Sequence, residues 1–311
     1  MSGAFFKELN IPKPNYNLGV KAGLHGKQTG KTMIEFEKVC LKEKPDLIIV
    51  VGDVNATLAC ALTAAKLHIK VAHIEAGLRS RDMSMPEEIN RILTDHISEY
   101  LFCPTETGIK NLKKEGIIKN VYNVGDLMYD AFLQNIEIAK KKSKILKTLN
   151  LKPHDYSILT LHRAGNVDSQ KNLKIIIDAI QKSEEKIIFP IHPRTEKQLK
   201  KLKIENCKLK IIPPLGYIDM LWLVKNSKKV LTDSGGLQKE AYFAKMPCLT
   251  LRDTTEWPET LKNGWNRLVK INEKEIIKNI FINYSPKKQK EYFGDGKATS
   301  RIIKILSKNI K

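Results

Sequence analysis

Along the first 130 residues, short apolar runs rich in β-branched side chains alternate with longer amphipathic stretches. The run 46–51 (DLIIVV) is bounded by Pro45 before it and Gly52-Asp53 after it. A run that is apolar on both faces and ends at a turn predicts a buried parallel strand. Helical spacing follows over 56–66, and 70–74 (KVAHI) is the next strand. Segments 101–103 and 121–124 continue the series, with helices between. This β-α-β alternation predicts a parallel, doubly wound sheet. Segment 134–151 is Lys-rich and lacks a strand signal, which predicts a linking helix and a domain boundary. A second α/β series then begins, with strands expected at 156–161, 186–191, 208–212, 229–232 and 248–251. The pattern at 296–306 predicts one amphipathic helix. The fold class is therefore α/β, with two doubly wound, Rossmann-like lobes, one over 1–140 and one over 151–290. Two such lobes imply a cleft between them, and ligands of these sheets bind beyond the carboxyl ends of the strands.

Composition changes this picture little. Apolar residues make up 42% of the 311 and charged residues 28%, which suits a globular chain. No stretch approaches the roughly 18 apolar residues of a membrane span. The first ten residues, MSGAFFKELN, have neither the basic nor the apolar region of a signal peptide. Cys40, Cys60, Cys103, Cys207 and Cys248 are scattered and odd in number, and most sit inside apolar runs. They read as reduced thiols of a cytoplasmic protein, not as a disulfide framework or a metal site.

The net charge of +20 invites a nucleic-acid reading. Only eight of the 54 basic residues are Arg, however, and the lysines are spread over the whole length. The densest run, Lys140 to Lys142, falls in the expected linking helix. With no aromatic RNA-binding motif and no zinc-finger spacing, a Lys-rich solvated surface is the better account, and its positive field would gather an anionic substrate.

Candidate chemistry collects at the expected strand ends. Asp53 follows the first strong strand, and Glu75 follows the second within HIEAGLR (73–79). Carboxylates there are costly unless they face a cleft or are paired. Pro86 is preset for the first turn of a helix that carries Glu87 and Glu88, where acids also suit the helix dipole. In the second lobe, His162-Arg163 and His192-Pro193-Arg194 end successive strands. They read as a floor for anionic groups, because Arg offers a planar fork to phosphate and His can shuttle protons. The most informative stretch is TDSGGLQKE (232–240). A strand ends, a Ser234-Gly235-Gly236 turn follows and a helix starts, giving close backbone approach and exposed N–H groups for phosphates. Glu240, one turn into that helix, can accept hydrogen bonds from ribose hydroxyls. Ser234 also fits a plain N-cap.

Gly30-Lys31-Thr32 imitates the end of a phosphate loop, but that motif needs glycine at 25, which is His25. No GxGxxG follows a strand, so nicotinamide chemistry is not indicated.

These residues together resemble the non-hydrolysing UDP-N-acetylglucosamine 2-epimerase family over nearly the whole chain. The matching stretches are Gly52-Asp53, HIEAGLR (73–79), MPEEINR (85–91), PTET (104–107), LHR (161–163), HPRT (192–195), TDSGGLQKE (232–240), LRDTTE (251–256) and FGDGKA (293–298). The resemblance implies a glycosyltransferase-B-like fold, with helix 296–311 completing the first lobe and UDP-sugar in the cleft. It implies inversion at C2 of the sugar by elimination and re-addition of UDP, with no cofactor, and a homodimer. Carried over residue by residue, Asp53, Glu75 and Glu87 match the family's catalytic acids and His162 its catalytic histidine. Ser234, Gly235 and Gly236 match its diphosphate turn and Glu240 its ribose ligand. Arg163 and His192 join the phosphate side.

Three departures stand out. Family members open with a β-strand and a Gly-x-Arg-Pro turn, whereas this sequence starts at what looks like the following helix, Phe5 to Leu9. Trp257 stands where many members have Arg, and with Gly264-Trp265-Asn266 it looks like the branch acting on UDP-2,3-diacetamido-2,3-dideoxyglucuronate. Gly165 stands where related branches carry an acid. The alternatives are a hydrolysing relative or glycosyltransferase of the same fold, an inactive UDP-sugar-binding protein, and an RNA-binding protein.

Overall fold

The computed structural model describes residues 6, 8–201, 209–282, 286 and 288–309. Phe5 and Lys7 of the expected opening helix, Lys208 at the start of an expected strand, and Cys207 lie outside the described residues. The chain divides into two compact units, one of residues 13–131 with 291–311, the other of residues 132–290 with the first twelve.

The N-terminal unit is built on a four-stranded parallel sheet in the order β1 (Leu47–Val51), β2 (Lys70–Ile74), β3 (Tyr100–Cys103), β4 (Val121–Asn123). Its helices are α1 (His25–Glu43), α2 (Asn55–Lys66), α3 (Pro86–Ile97) and α4 (Glu106–Lys114). Gly30, Lys31 and Thr32 fall inside α1, where the Thr32 hydroxyl donates to the Gln28 carbonyl, so they are helix and not phosphate loop. Val51 is in register with Ile74, which brings the residues after β1 and after β2 to the same level.

The sheet is covered by the helix Ala298–Asn309, whose Ile302 and Leu306 pack with Ala72, Ile74, Tyr100, Phe102 and Val124. Asp130 caps that helix, accepting from the N–H groups of Ala298 and Thr299. Beyond β1, no further strand pairs with the sheet among the described residues, and Ile49 and Val51 are about half exposed.

The C-terminal unit holds a six-stranded parallel sheet in the order β10-β9-β8-β5-β6-β7. The strands are β5 (Ser157–Thr160), β6 (Ile187–Pro190), β7 (Leu209–Ile212), β8 (Val230–Thr232), β9 (Cys248–Thr250) and β10 (Asn266–Leu268). Leu159, Leu231 and Leu249 on the sheet meet Leu173, Ile176, Ile177 and Ile180 of the helix Gln170–Lys182 in one fully buried core.

The boundary between units falls after Ala131, ahead of the position expected from the sequence, inside the helix Leu127–Lys142. Phe132 is the reason, since its ring packs edge-on against Phe243 at 5.7 Å. Residues 8–12 group with the C-terminal unit, although the sequence placed them with the first lobe. The Glu8 carboxylate accepts from the N–H groups of Tyr217 and Ile218, capping the helix Tyr217–Lys225. Among the described residues, no helix is long and apolar enough to cross a membrane.

Candidate active site

In the N-terminal unit, the polar residues expected to act lie at the carboxyl ends of β1 and β2. Gly52, with φ +70°, turns the chain out of β1 while its N–H donates to the Ile74 carbonyl. Asp53 follows and is gripped by Arg91 of α3, whose Nε donates to Oδ2 at 3.1 Å and whose Nη2 binds the same oxygen. Asn90 of α3 also donates to the Asp53 carbonyl. Glu75 leaves β2 in left-handed backbone (φ +69°), and its Oε2 lies over Gly52, 3.4 Å from where a Cβ there would stand. Asp53 and Glu75 are thus neighbours around one turn.

The two acids opening α3 have different surroundings. Glu87 is exposed. Glu88 is 1% exposed and accepts from Ser80 N, Ser80 Oγ, Arg81 N and Arg91 Nη1, all at 2.7–2.9 Å. Glu88 therefore holds the chain beyond Arg79 and steadies the guanidinium that grips Asp53.

Behind the carboxylates lies a buried network that sequence reasoning missed. Asp95 of α3 meets His73 Nδ1 at 2.7 Å and accepts from Gly77 N at 3.1 Å and Arg79 Nη1 at 2.6 Å. His73 Nε2 reaches the Gly52 carbonyl at 2.8 Å. Arg79 completes its fork on Glu115. The turn that carries Glu75 is thereby bonded to β1 and α3 at several points. A Cβ at Gly77, where φ is +78°, would come 2.5 Å from the Gly108 carbonyl oxygen of α4.

In the C-terminal unit, β8, β5 and β6 are adjacent, so their carboxyl ends place Asp233, His162 and His192 together. The His162 and His192 rings lie 6.2 Å apart. Asp233 is fully buried and faces His162. Burial pushes its carboxyl upward, but hydrogen bonds and charge from His162 outweigh that and hold it below the usual range. Burial, then the charges of His162 and Arg194, keep the His192 imidazole below its ordinary value. Arg194 turns to the Asp168 carboxylate instead of completing the expected anionic floor.

Ser234 caps the nine-residue helix Gly235–Phe243, its hydroxyl accepting from Leu237 N at 3.3 Å. Gly235 and Gly236 form the partly exposed first turn, where N–H groups and the helix dipole suit an anion. A side chain at Gly235 would collide with Glu256 Oε1. Burial pushes the Glu256 carboxyl upward, and the Arg252 guanidinium, 3.0 Å away, overcomes this and holds it low. Trp257 lies behind the same turn, with the buried Lys239 ammonium 3.9 Å from the centre of its ring.

Burial raises the Glu240 carboxyl to about 7, against a hydrogen bond with Tyr217 that favours its charged form. Tyr217 is raised in turn, chiefly by burial. The sequence had singled out Glu240 but not its partner, which stands 23 positions earlier and carries no local signal. Among the described residues, no three of His, Cys, Asp and Glu are grouped so as to hold a metal ion.

The chain is similar to known proteins over nearly its whole length. The family model described as UDP-N-acetylglucosamine 2-epimerase matches residues 1–307. A UDP-N-acetylglucosamine 2-epimerase homolog of Methanococcus maripaludis is 53% identical, over 98% of this chain and 88% of its own. The UDP-2,3-diacetamido-2,3-dideoxy-D-glucuronate 2-epimerase of Pseudomonas aeruginosa is 45% identical, over 99% of this chain and 88% of its own. Among solved structures, the Methanocaldococcus jannaschii UDP-GlcNAc 2-epimerase in complex with UDP-GlcNAc and UDP superposes with a TM-score of 0.93 at 51% identity. It shares 99% of this chain and 88% of its own.

Proposed function

The chain belongs to the UDP-N-acetylglucosamine 2-epimerase family, and we infer that it inverts C2 of a UDP-linked 2-acetamido sugar. Observations within each unit, taken separately, support this reading. One unit offers a capped helix N-terminus with His162, His192 and Glu240 at hand. The other offers Asp53 and Glu75 braced around one turn.

The proposed chemistry starts with removal of the C2 proton while the C1–O bond to UDP breaks, leaving an enzyme-held glycal and UDP. Return of a proton to the opposite face of C2 and re-addition of the UDP oxygen at C1 complete the inversion. Substrate and product are isomers, so no net electrons are exchanged. Asp53, Glu75, Glu87 and His162 are the proposed proton-transfer groups, since departure of UDP and exchange at C2 need ionisable groups on more than one side of the ring. The first-turn amides of Gly235 and Gly236, with Ser234, Arg163 and His192, would receive the diphosphate, and Glu240 the ribose. The sugar is N-acetylglucosamine or its diacetamido uronate analogue: Trp257 favours the second, whereas identity favours the first, at 51% to the Methanocaldococcus jannaschii enzyme against 45% to the Pseudomonas one. A homodimer in the cytoplasm completes the reading, and sedimentation tests the first part.

The test is a proton NMR time course with each UDP-sugar in deuterated water. The expected result is the manno epimer with deuterium at C2. Free UDP accumulating with free sugar would instead make the chain a hydrolysing relative, and absence of turnover on both sugars would overturn the reading.

A further inference from the structure

The buried carboxylate of Asp233 has more contacts than a strand-end turn requires. One oxygen accepts from His162 N at 3.1 Å and the other from Arg163 N at 3.1 Å and Asn166 Nδ2 at 3.2 Å. His162 Nδ1 stands 3.2 Å from Oδ1. The backbone bonds fix the chain at 162 and 163, and the ring bond fixes the imidazole on that chain. The His162 side chain is 44% exposed while Asp233 is not exposed at all, so the ring has one face on a buried anion and another open to a ligand.

A carboxylate can only accept, so the ring nitrogen facing it carries the proton. His192, the next ring, has the reverse arrangement. Its Nδ1 accepts from Arg194 N at 3.2 Å, which leaves the proton of the neutral ring on Nε2. Two neighbouring imidazoles are thus set in opposite tautomers, one with an acceptor outward and one with a donor outward.

We propose that Asp233 is the positioning residue for His162, holding it in the Nδ1–H tautomer so that Nε2 is the atom that exchanges a proton with the UDP-sugar. This rests on the reading of His162 as a proton-transfer group. It goes further in naming the atom that acts and the residue that selects it. Proton transfer is sensitive to such selection, and loss of an orienting carboxylate that leaves the wrong tautomer has cost about 10⁴-fold in kcat elsewhere.

The experiment pairs two readouts on the intact chain. Histidine labelled with ¹⁵N, with the His162 signals assigned by their loss in His162→Gln, reports the tautomer by two-bond ¹H–¹⁵N correlation. Turnover of the epimerised UDP-sugar, with UDP affinity by calorimetry, reports the consequence. Wild-type His162 is expected to show a protonated Nδ1 and an unprotonated Nε2. Asp233→Asn, which keeps an amide oxygen to accept from the backbone, is expected to lose that bias. Its kcat should fall by about 10²-fold or more, with KM and UDP affinity changed less than about threefold.

A wild-type His162 protonated on Nε2 would overturn the proposal, even if Asp233→Asn proved unable to fold. Wild-type kcat in a folded Asp233→Asn would do so as well. Full activity in His162→Gln would refute instead the role of His162, a separate failure that leaves the spectroscopic result standing.

Discussion

Replacing Asp95 with Ala tests whether the turn bearing Glu75 is held by its buried network or merely accompanied by it. The side chain of Asp95 is fully buried, and its removal strands three groups. His73 loses its Nδ1 partner, Gly77 loses the acceptor for its N–H, and Arg79 keeps Glu115 and the Leu78 carbonyl. Breaking one buried charged pair costs roughly 3–5 kcal/mol, and an unsatisfied buried N–H adds about 1–3 kcal/mol before relaxation. The survival of the Arg79–Glu115 fork argues for the lower part of that range, about 4 kcal/mol in all. Against a total of about 5–15 kcal/mol for a typical protein, that is a large share. It corresponds to a fall in Tm of about 10–15 °C for a unit of this size.

Far-UV circular dichroism during heating and urea unfolding is the assay, because Trp222, Trp257 and Trp265 all lie in the other unit. Asp95→Asn, which keeps the shape and one acceptor, should lose less. Asp178→Ala, which removes a partly exposed partner of the exposed Lys174, should lose under about 0.5 kcal/mol. A loss below about 1 kcal/mol in Asp95→Ala would refute the reasoning and leave Glu75 positioned by backbone alone.

Gly77→Ala adds a Cβ at positive φ against the Gly108 carbonyl, and loss of soluble expression or about 3 kcal/mol by urea unfolding is expected. Glu240, raised to about 7 when folded, stays protonated in the native state over a range where the unfolded carboxyl has already ionised. Its burial therefore reduces stability as pH rises from about 4.5 to about 7, with no further loss above that. Glu240→Gln cannot ionise, so its stability relative to wild type should rise across that window, read from Tm at pH 5 and pH 8. Ile49→Thr on the half-exposed face of β1 should lower concentration-dependent association in light scattering, because that strand has an unpaired edge among the described residues.

The fold was legible because its strands are short, mostly apolar runs that end near Gly, Asp, Glu or His. That signal is strong for β1, β2, β5 and β8. It fails for β10, where Asn266 and Arg267 make up most of a three-residue strand. Asp53 and Glu75 could be singled out because they stand two residues and one residue past their strands. Their supports could not. His73 and Asp95 are 22 positions apart, and only the packing of α3 on the sheet lets them meet. Glu87 and Glu88 look alike in sequence, yet the turn of the helix sends one outward and the other onto Ser80 and Arg91. Asp233 was visible only as a letter in TDSGGLQKE, because nothing local says that a strand-end carboxylate will face the histidine of the neighbouring strand. Tyr217 stayed hidden for the same reason.

The left-handed backbone at Glu75 sets a limit on improving this protein. Glycine is the residue that adopts such a conformation without steric cost, and a side chain there carries a penalty of about 1 kcal/mol. Glu75→Gly would relieve that strain while deleting a carboxylate beside Asp53. A library selected for heat resistance alone would therefore be drawn toward glycine at this position and would lose a proposed proton-transfer group unnoticed. Turnover has to be scored alongside melting from the first round.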